Sequence, residues 1–144
     1  MEGKTGKPKL IIGRREKVSF PDLGITDIDA KVDTGAYTSA LHCHDIEIKQ
    51  NVLYFKLLDP SHPEFNKQQR FEIFTEKNIK NSFGHLERRY IIKTRIKIGN
   101  RIVKTSISLT DRANMRCPVL IGRKLLRKKF IVDVNETYLL NSKK

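Results

Sequence analysis

The chain has 144 residues, enough for one domain with a real core, and its 38% hydrophobic and 31% charged content describes a globular fold with a well-solvated surface. No apolar run approaches the roughly 18 residues of a membrane helix, and the polar start Met-Glu-Gly-Lys-Thr-Gly-Lys-Pro-Lys lacks a signal peptide's apolar segment, so a soluble cytoplasmic protein is expected. A net charge of +13 calls for an anionic partner or a solubilising surface, and two cysteines, Cys43 and Cys117, build no disulfide framework.

Residues 1–8, with two Gly, two Lys and a Pro, read as a flexible lead, and residues 9–141 as a single domain. Lys9 to Gly13 and then Val18 and Phe20 read as an opening strand or hairpin before the turn Pro21-Asp22-Leu23-Gly24. Thr26, Ile28, Ala30 and Val32 then alternate with Asp27, Asp29 and Lys31, a half-buried strand that ends at Asp33. Thr34 and Gly35 follow, a small hydroxyl and a residue without a side chain, which suit a sharp turn and close approach of another segment.

Further strands are expected over 44–49, with Ile46 and Ile48 on one face, and over 52–58. Asp59-Pro60-Ser61-His62-Pro63 opens a loop to about Gln69, after which Phe71, Ile73 and Phe74 resume a strand. Lys80 to Gly84 is a second turn region. Beyond it Tyr90, Ile92, Thr94, Ile96 and Ile98 share a face opposite Arg89, Lys93, Arg95 and Lys97. Gly99-Asn100 signals a hairpin into Val103, Thr105, Ile107 and Leu109. Cys117 to Ile121 is a continuous apolar run, the pattern of a strand buried on both faces, and Arg123 to Lys129 is the one convincing short helix. Phe130 to Val134 and Tyr138 to Leu140 close the chain as strands. Many short strands with polar turns predict an all-β barrel or sandwich.

Two ordered motifs bear on chemistry. Asp33-Thr34-Gly35 after an apolar strand face resembles the signature of aspartic proteases, and Val119-Leu120-Ile121-Gly122-Arg123 resembles the apolar-Gly-Arg segment that runs under the active-site loop in retropepsins. Together with Ile12 to Glu16, Ala30 to Ala36, Thr38 to His42, Glu87 to Tyr90, Asp111-Arg112 and Met115, they resemble a retropepsin-like group of bacterial proteins that carry the name ATP-dependent zinc protease and are related to proteins encoded near ATP-grasp glutamate ligases.

That resemblance implies a retropepsin-like closed β-barrel with one short C-terminal helix, and a hydrolase of the aspartic peptidase type. Its chemistry needs two carboxylates sharing one proton. With one Asp-Thr-Gly per chain, it implies a homodimer in which Asp33 meets its symmetry mate. Asp33, Thr34 and Gly35 would be the catalytic loop, Ser82, Phe83, Gly84 and His85 either a flexible flap or an ordinary surface turn, and Ala36, Gly122 and Arg123 the loop's support. Tyr37 and Thr38 stand where viral retropepsins carry acids near this arginine, which leaves Glu16, Asp22 or Asp111 as candidates to pair with Arg123. Thr38 and Ser39 read as packed or turn-bonded hydroxyls rather than nucleophiles.

The residues give the zinc name little support. There is no His-Glu-x-x-His pair, and on a strand Cys43 points away from His42 and His44. A phosphate-binding Gly-x-x-x-x-Gly-Lys-Ser/Thr loop is also missing, so neither a metal nor another cofactor is expected. The substrate is expected to be a peptide or protein, with acidic, glutamate-rich tails suggested by the charge and by the kinship, and an ATP-grasp glutamate ligase as a candidate partner. Lys124, Arg127, Lys128 and Lys129 cluster without interleaved aromatics, so nucleic acid is not expected as the main ligand. Two alternatives stand beside the aspartic peptidase: a non-catalytic dimeric peptide-binding module of the same fold, and a zinc-dependent peptidase.

Overall fold

The computed structural model describes residues 8–57, 67–80, 84–111 and 117–140. It contains strands β1 (Leu10–Gly13), β2 (Arg15–Phe20), β3 (Ile25–Val32), β4 (Ser39–Lys49), β5 (Val52–Leu57), β6 (Gln68–Phe71), β7 (Thr75–Lys80), β8 (Leu86–Ile98), β9 (Arg101–Thr110) and β10 (Val119–Ile121). The short helix α1 (Arg123–Leu126) and strand β11 (Phe130–Asp133) follow. Among the described residues no helix is long and apolar enough to cross a membrane.

Six strands close on themselves in the order β10, β3, β2, β8, β9, β4, because β10 pairs with both β3 and β4. Closure removes the exposed sheet edges of these six strands. The inward residues of every barrel strand meet in one core, with Phe20, Ile28, Leu41, Ile92, Ile96, Ile107 and Ile121 all essentially inaccessible. β5 and β6 extend the sheet beyond β4, β7 pairs with β8, and β1 with β11 forms a separate parallel pair. The fold is a closed β-barrel with one short helix near its C-terminal end, as the retropepsin resemblance implies.

Local departures from the sequence expectation have local causes. Thr26 is exposed, although strict alternation would put it on the face of Ile28. Val18 opposes Ile28 while Phe20 opposes Ile25, so β3 carries one extra residue, and Asp27 takes it up at φ 54 with its amide on Ser19 Oγ. A second bulge, at Asp45 with φ 52, separates the His44 and Glu47 pairings in β4.

β1 and β2 do not form a hairpin with each other, since β1 pairs with β11 and β2 with β3. The helix stops at Leu126, where Leu125 and Leu126 are the last buried side chains of the segment and Lys128 turns the chain at φ 69. Tyr138 to Leu140 is a turn rather than a strand. Its amides bond Arg15 O and the Glu16 carboxylate, so a side chain takes the place of a partner strand. The residue pattern does not mark β7: Thr75 to Lys80 is exposed at all but Ile79, and only its pairing with β8 makes it a strand.

Candidate active site

β3 delivers Asp33 to the point where the barrel closes. Val32 N–H bonds Arg14 O at 2.9 Å and Asp33 N–H bonds Ile121 O at 2.9 Å, so the residue is fixed from both sides. The next three residues turn back at once: Ala36 N–H reaches Asp33 O at 3.1 Å, and Asp33 Oδ1 accepts the Gly35 amide at 3.0 Å. Asp33 is half-buried, whereas Thr34 and Gly35 are exposed. The result is a rigid carboxylate presented at the tip of a turn.

The segment after β10 holds that turn from beneath. Gly122 N–H bonds Ser39 Oγ at 3.0 Å, Arg123 N–H bonds Ala36 O at 2.8 Å, and Lys124 N–H bonds Tyr37 O at 3.0 Å. These are the first amides of α1, which lack partners within a helix. A Cβ on Gly122 would lie 2.6 Å from Tyr37 O and 2.9 Å from Ala36 O, both backbone atoms, so only glycine allows this approach. Arg123 Nη1 donates to Thr34 O at 2.9 Å, and its guanidinium sits 5.7 Å over the Tyr37 ring.

None of the three acids considered for Arg123 is seen paired with it. Glu16 is wholly buried and accepts the amides of Gly13 and Leu139 on Oε2, at 2.8 and 2.9 Å, and that of Leu140 on Oε1 at 3.2 Å. Asp22 forms a forked ion pair with Arg95, which holds its carboxyl down to about 2. Asp111 is exposed at the end of β9 and acts electrostatically on Cys43. Arg123 instead uses the Thr34 carbonyl and the Tyr37 ring. Ser39 is the packed, hydrogen-bonded hydroxyl that the sequence suggests, whereas sequence reasoning considered Glu16 only as a partner for Arg123 and missed its part as an acceptor of backbone amides.

The structure thus joins Asp33, Thr34, Gly35, Ala36, Gly122 and Arg123 in one hydrogen-bonded unit. Of the expected flap, Ser82 and Phe83 lie outside the described residues. Gly84 and His85 are exposed on the β7–β8 hairpin, whose strands pair up to Lys80 and Leu86. Gly84 has φ +83, and among the described residues beyond its chain neighbours no atom lies within 4 Å of the place a Cβ would occupy.

His42, Cys43 and His44 alternate across β4. Cys43 lies in the core, where burial pushes its thiol well above the usual range, with Asp111 adding to the effect. His42 is buried and its Nδ1 has no hydrogen-bond partner among the described residues. Among those residues no group of three or more His, Cys, Asp or Glu side chains is placed to hold a metal ion. Cys43 and Cys117 are free and buried, and Arg15 Nη2 contacts Cys117 Sγ at 2.8 Å.

The chain is similar to known proteins over most of its length. The model of a family described as RimB-like, retropepsin-like aspartic endopeptidase RimB, matches residues 11–143. A probable alpha-L-glutamate ligase of Shewanella halifaxensis is 33% identical over 141 residues, which cover 92% of this chain and 30% of that protein. One of Desulfotalea psychrophila is 34% identical over 131 residues, 87% of this chain and 28% of that protein. The chain therefore spans under a third of the length of these curated relatives. A Legionella pneumophila protein of unknown function has the same fold, with a TM-score of 0.69 at 24% identity over 92% of this chain and 99% of that one.

Proposed function

Since the chain belongs to the RimB-like family of retropepsin-like aspartic endopeptidases, we propose that it is an aspartic-type peptidase that works as a homodimer, with one Asp33 from each copy. The observation that carries this reading is the half-buried Asp33 at the tip of a turn braced by Ile121, Gly122 and Arg123. One such carboxylate per chain supplies half of the required pair. Across a two-fold axis, the two would share a proton, one drawing a proton from the attacking water and the other donating to the peptide carbonyl. Thr34 and Gly35, exposed in the single chain, would then face their own copies.

The surface beside Asp33 supports the dimer. β1 and β11 form a two-stranded sheet in which Ile11 and Ile131 are register partners, and they are 52% and 50% exposed. Val134, just past β11, is 67% exposed, and its carbonyl accepts Arg14 Nη1. Arg14 O in turn holds Val32, the residue before Asp33. Apolar side chains exposed on a sheet that Arg14 links to Val32 suit an interface between copies.

The net charge of +13 favours acidic peptides. The relatives' name, probable alpha-L-glutamate ligase, points the same way. We therefore take glutamate-rich tails as the substrate, and a glutamate ligase, which would make such tails, as the functional partner. The test is cleavage of a glutamate-rich peptide by wild type and Asp33→Asn, with and without a chelator. Activity that survives chelation and is lost with Asp33→Asn supports the aspartic peptidase. Loss to the chelator alone would favour a zinc enzyme, and binding without any cleavage a non-catalytic module.

A further inference from the structure

On β8 and β9 the side chains of Ile92, Thr94, Thr105 and Ile107 fill the core, so Lys93 and Lys104 stand on the outer face of the barrel. Between this face and the link from β6 to β7 lies a cavity of about 550 Å³ walled by Phe71, Ile73, Phe74 and Ile91 and rimmed by Lys93 and Lys104. A neighbouring depression of about 380 Å³ shares both lysines and adds Lys124 and Lys129. Among the described residues none of these four lysines has an acidic partner. The acid in the cavity, Glu72, is held by Arg70 at 2.8 Å. Ile73 is 85% exposed at the cavity wall.

A row of cations without an acidic partner among the described residues, beside an apolar hollow, is a recognition surface with two demands, negative charge along the row and an apolar group in the hollow. Nucleic acid meets the first demand but not the second. The Phe71 ring already stacks on Phe55 at 5.8 Å, and the Phe74 ring meets Tyr90 edge-on at 5.9 Å, so the aromatic groups are taken up by the protein itself. Acidic polypeptide meets both. We propose that this outer face is a second binding site, distinct from the Asp33 turn, which takes acidic polypeptide with its carboxylates along Lys93, Lys104, Lys124 and Lys129 and one apolar side chain against Ile73. Lys124 joins the two regions, because its amide holds Tyr37 O in the Asp33 loop while its Nζ reaches Ser106 Oγ at 3.4 Å on β9. A chain lying in the site is led from the cavity toward the loop.

The proposal shares the acidic class of peptide with the proposed function but needs no turnover, so it is tested on the Asp33→Asn protein. The probe is a fluorescein-labelled peptide of glutamates interrupted by one leucine, followed by anisotropy at about 0.1 M salt. Lys104→Glu should weaken binding about fivefold or more, and Ile73→Asp about threefold, while Lys49→Glu, the same charge change on the β4–β5 hairpin, should alter it less than about twofold. Ile73 and Lys104 are exposed, so both variants keep the fold, which circular dichroism checks. Absence of binding, equal loss in Lys104→Glu and Lys49→Glu, or tighter binding of single-stranded RNA of equal charge would overturn the proposal. Intact binding with no cleavage by wild type would contradict the peptidase reading and leave this site standing.

Discussion

Ser39 Oγ accepts the amide of Gly122 at 3.0 Å, in a place where Gly122 has no room for a side chain. This pair locks β4 to the start of α1 beneath the Asp33 turn. Ser39→Ala leaves a buried N–H without a partner and should cost about 1–3 kcal/mol. Gly122→Ala drives a methyl against Tyr37 O and should cost about 2 kcal/mol or more, because backbone rather than a flexible side chain must move. Urea denaturation of the two variants measures both, and peptidase activity should fall with each as the turn loosens.

Glu16 is a buried carboxylate satisfied entirely by backbone amides, and it ties Gly13 to the turn at Leu139 and Leu140. Glu16→Ala orphans three donors and should destabilise by about 3 kcal/mol or more. Glu16→Gln presents an amide NH₂ to at least one of those donors and should cost about half as much. In amide hydrogen exchange, Leu139 and Leu140 should lose protection in Glu16→Ala before the barrel strands do.

How far the sequence carries this picture depends on whether a segment's own pattern settles its structure. The alternation around Ile92 to Ile98 and the Gly99-Asn100 turn predict β8, β9 and their hairpin, and the structure has them in that register. The apolar run to Ile121 predicts a strand buried between neighbours, which β10 is, between β3 and β4. β7 has no such pattern, since an edge strand lying over solvent needs no apolar face. The tail from Tyr138 to Leu140 reads as a strand because its apolar residues are adjacent, yet its donors are taken by Arg15 O and the Glu16 carboxylate, more than a hundred positions earlier in the chain. At the site, the Asp33 turn and its Gly122-Arg123 support are legible as motifs. The contact of Arg123 with the Tyr37 ring is not, because it depends on how two loops pack.

Asp22 and Arg95 join the β2–β3 turn to β8, with Asp22 also accepting the Arg95 amide at 3.2 Å. The folded carboxyl lies at about 2, below its unfolded value of about 3.9. The pair's contribution is therefore fully present above about pH 4 and is lost as pH falls toward 2. Thermal melts of wild type and Asp22→Asn should differ at pH 6 and converge by about pH 2. Because both groups are exposed, the difference should shrink with added salt.

Arg123 braces Thr34 and covers Tyr37 from a largely exposed position. Arg123→Leu should cost only about 1 kcal/mol of stability. It should reduce kcat about tenfold or more, since a small displacement of the Asp33 turn misplaces the reacting carboxylate. Arg123→Lys should recover part of the stability but little of kcat, as an ammonium does not reproduce the planar guanidinium that bonds Thr34 O while covering the Tyr37 ring.

The central claim is that the catalytic pair is built from Asp33 of two copies. Subunit mixing tests it most directly: wild type is held constant while inactive Asp33→Asn protein is added under conditions that allow exchange, and cleavage of a glutamate-rich peptide is followed. A shared site predicts that activity falls steadily as mixed dimers with a single Asp33 form, toward loss at large excess. Activity that stays constant however much Asp33→Asn protein is added would show that each chain cleaves with its own residues, and would contradict the account.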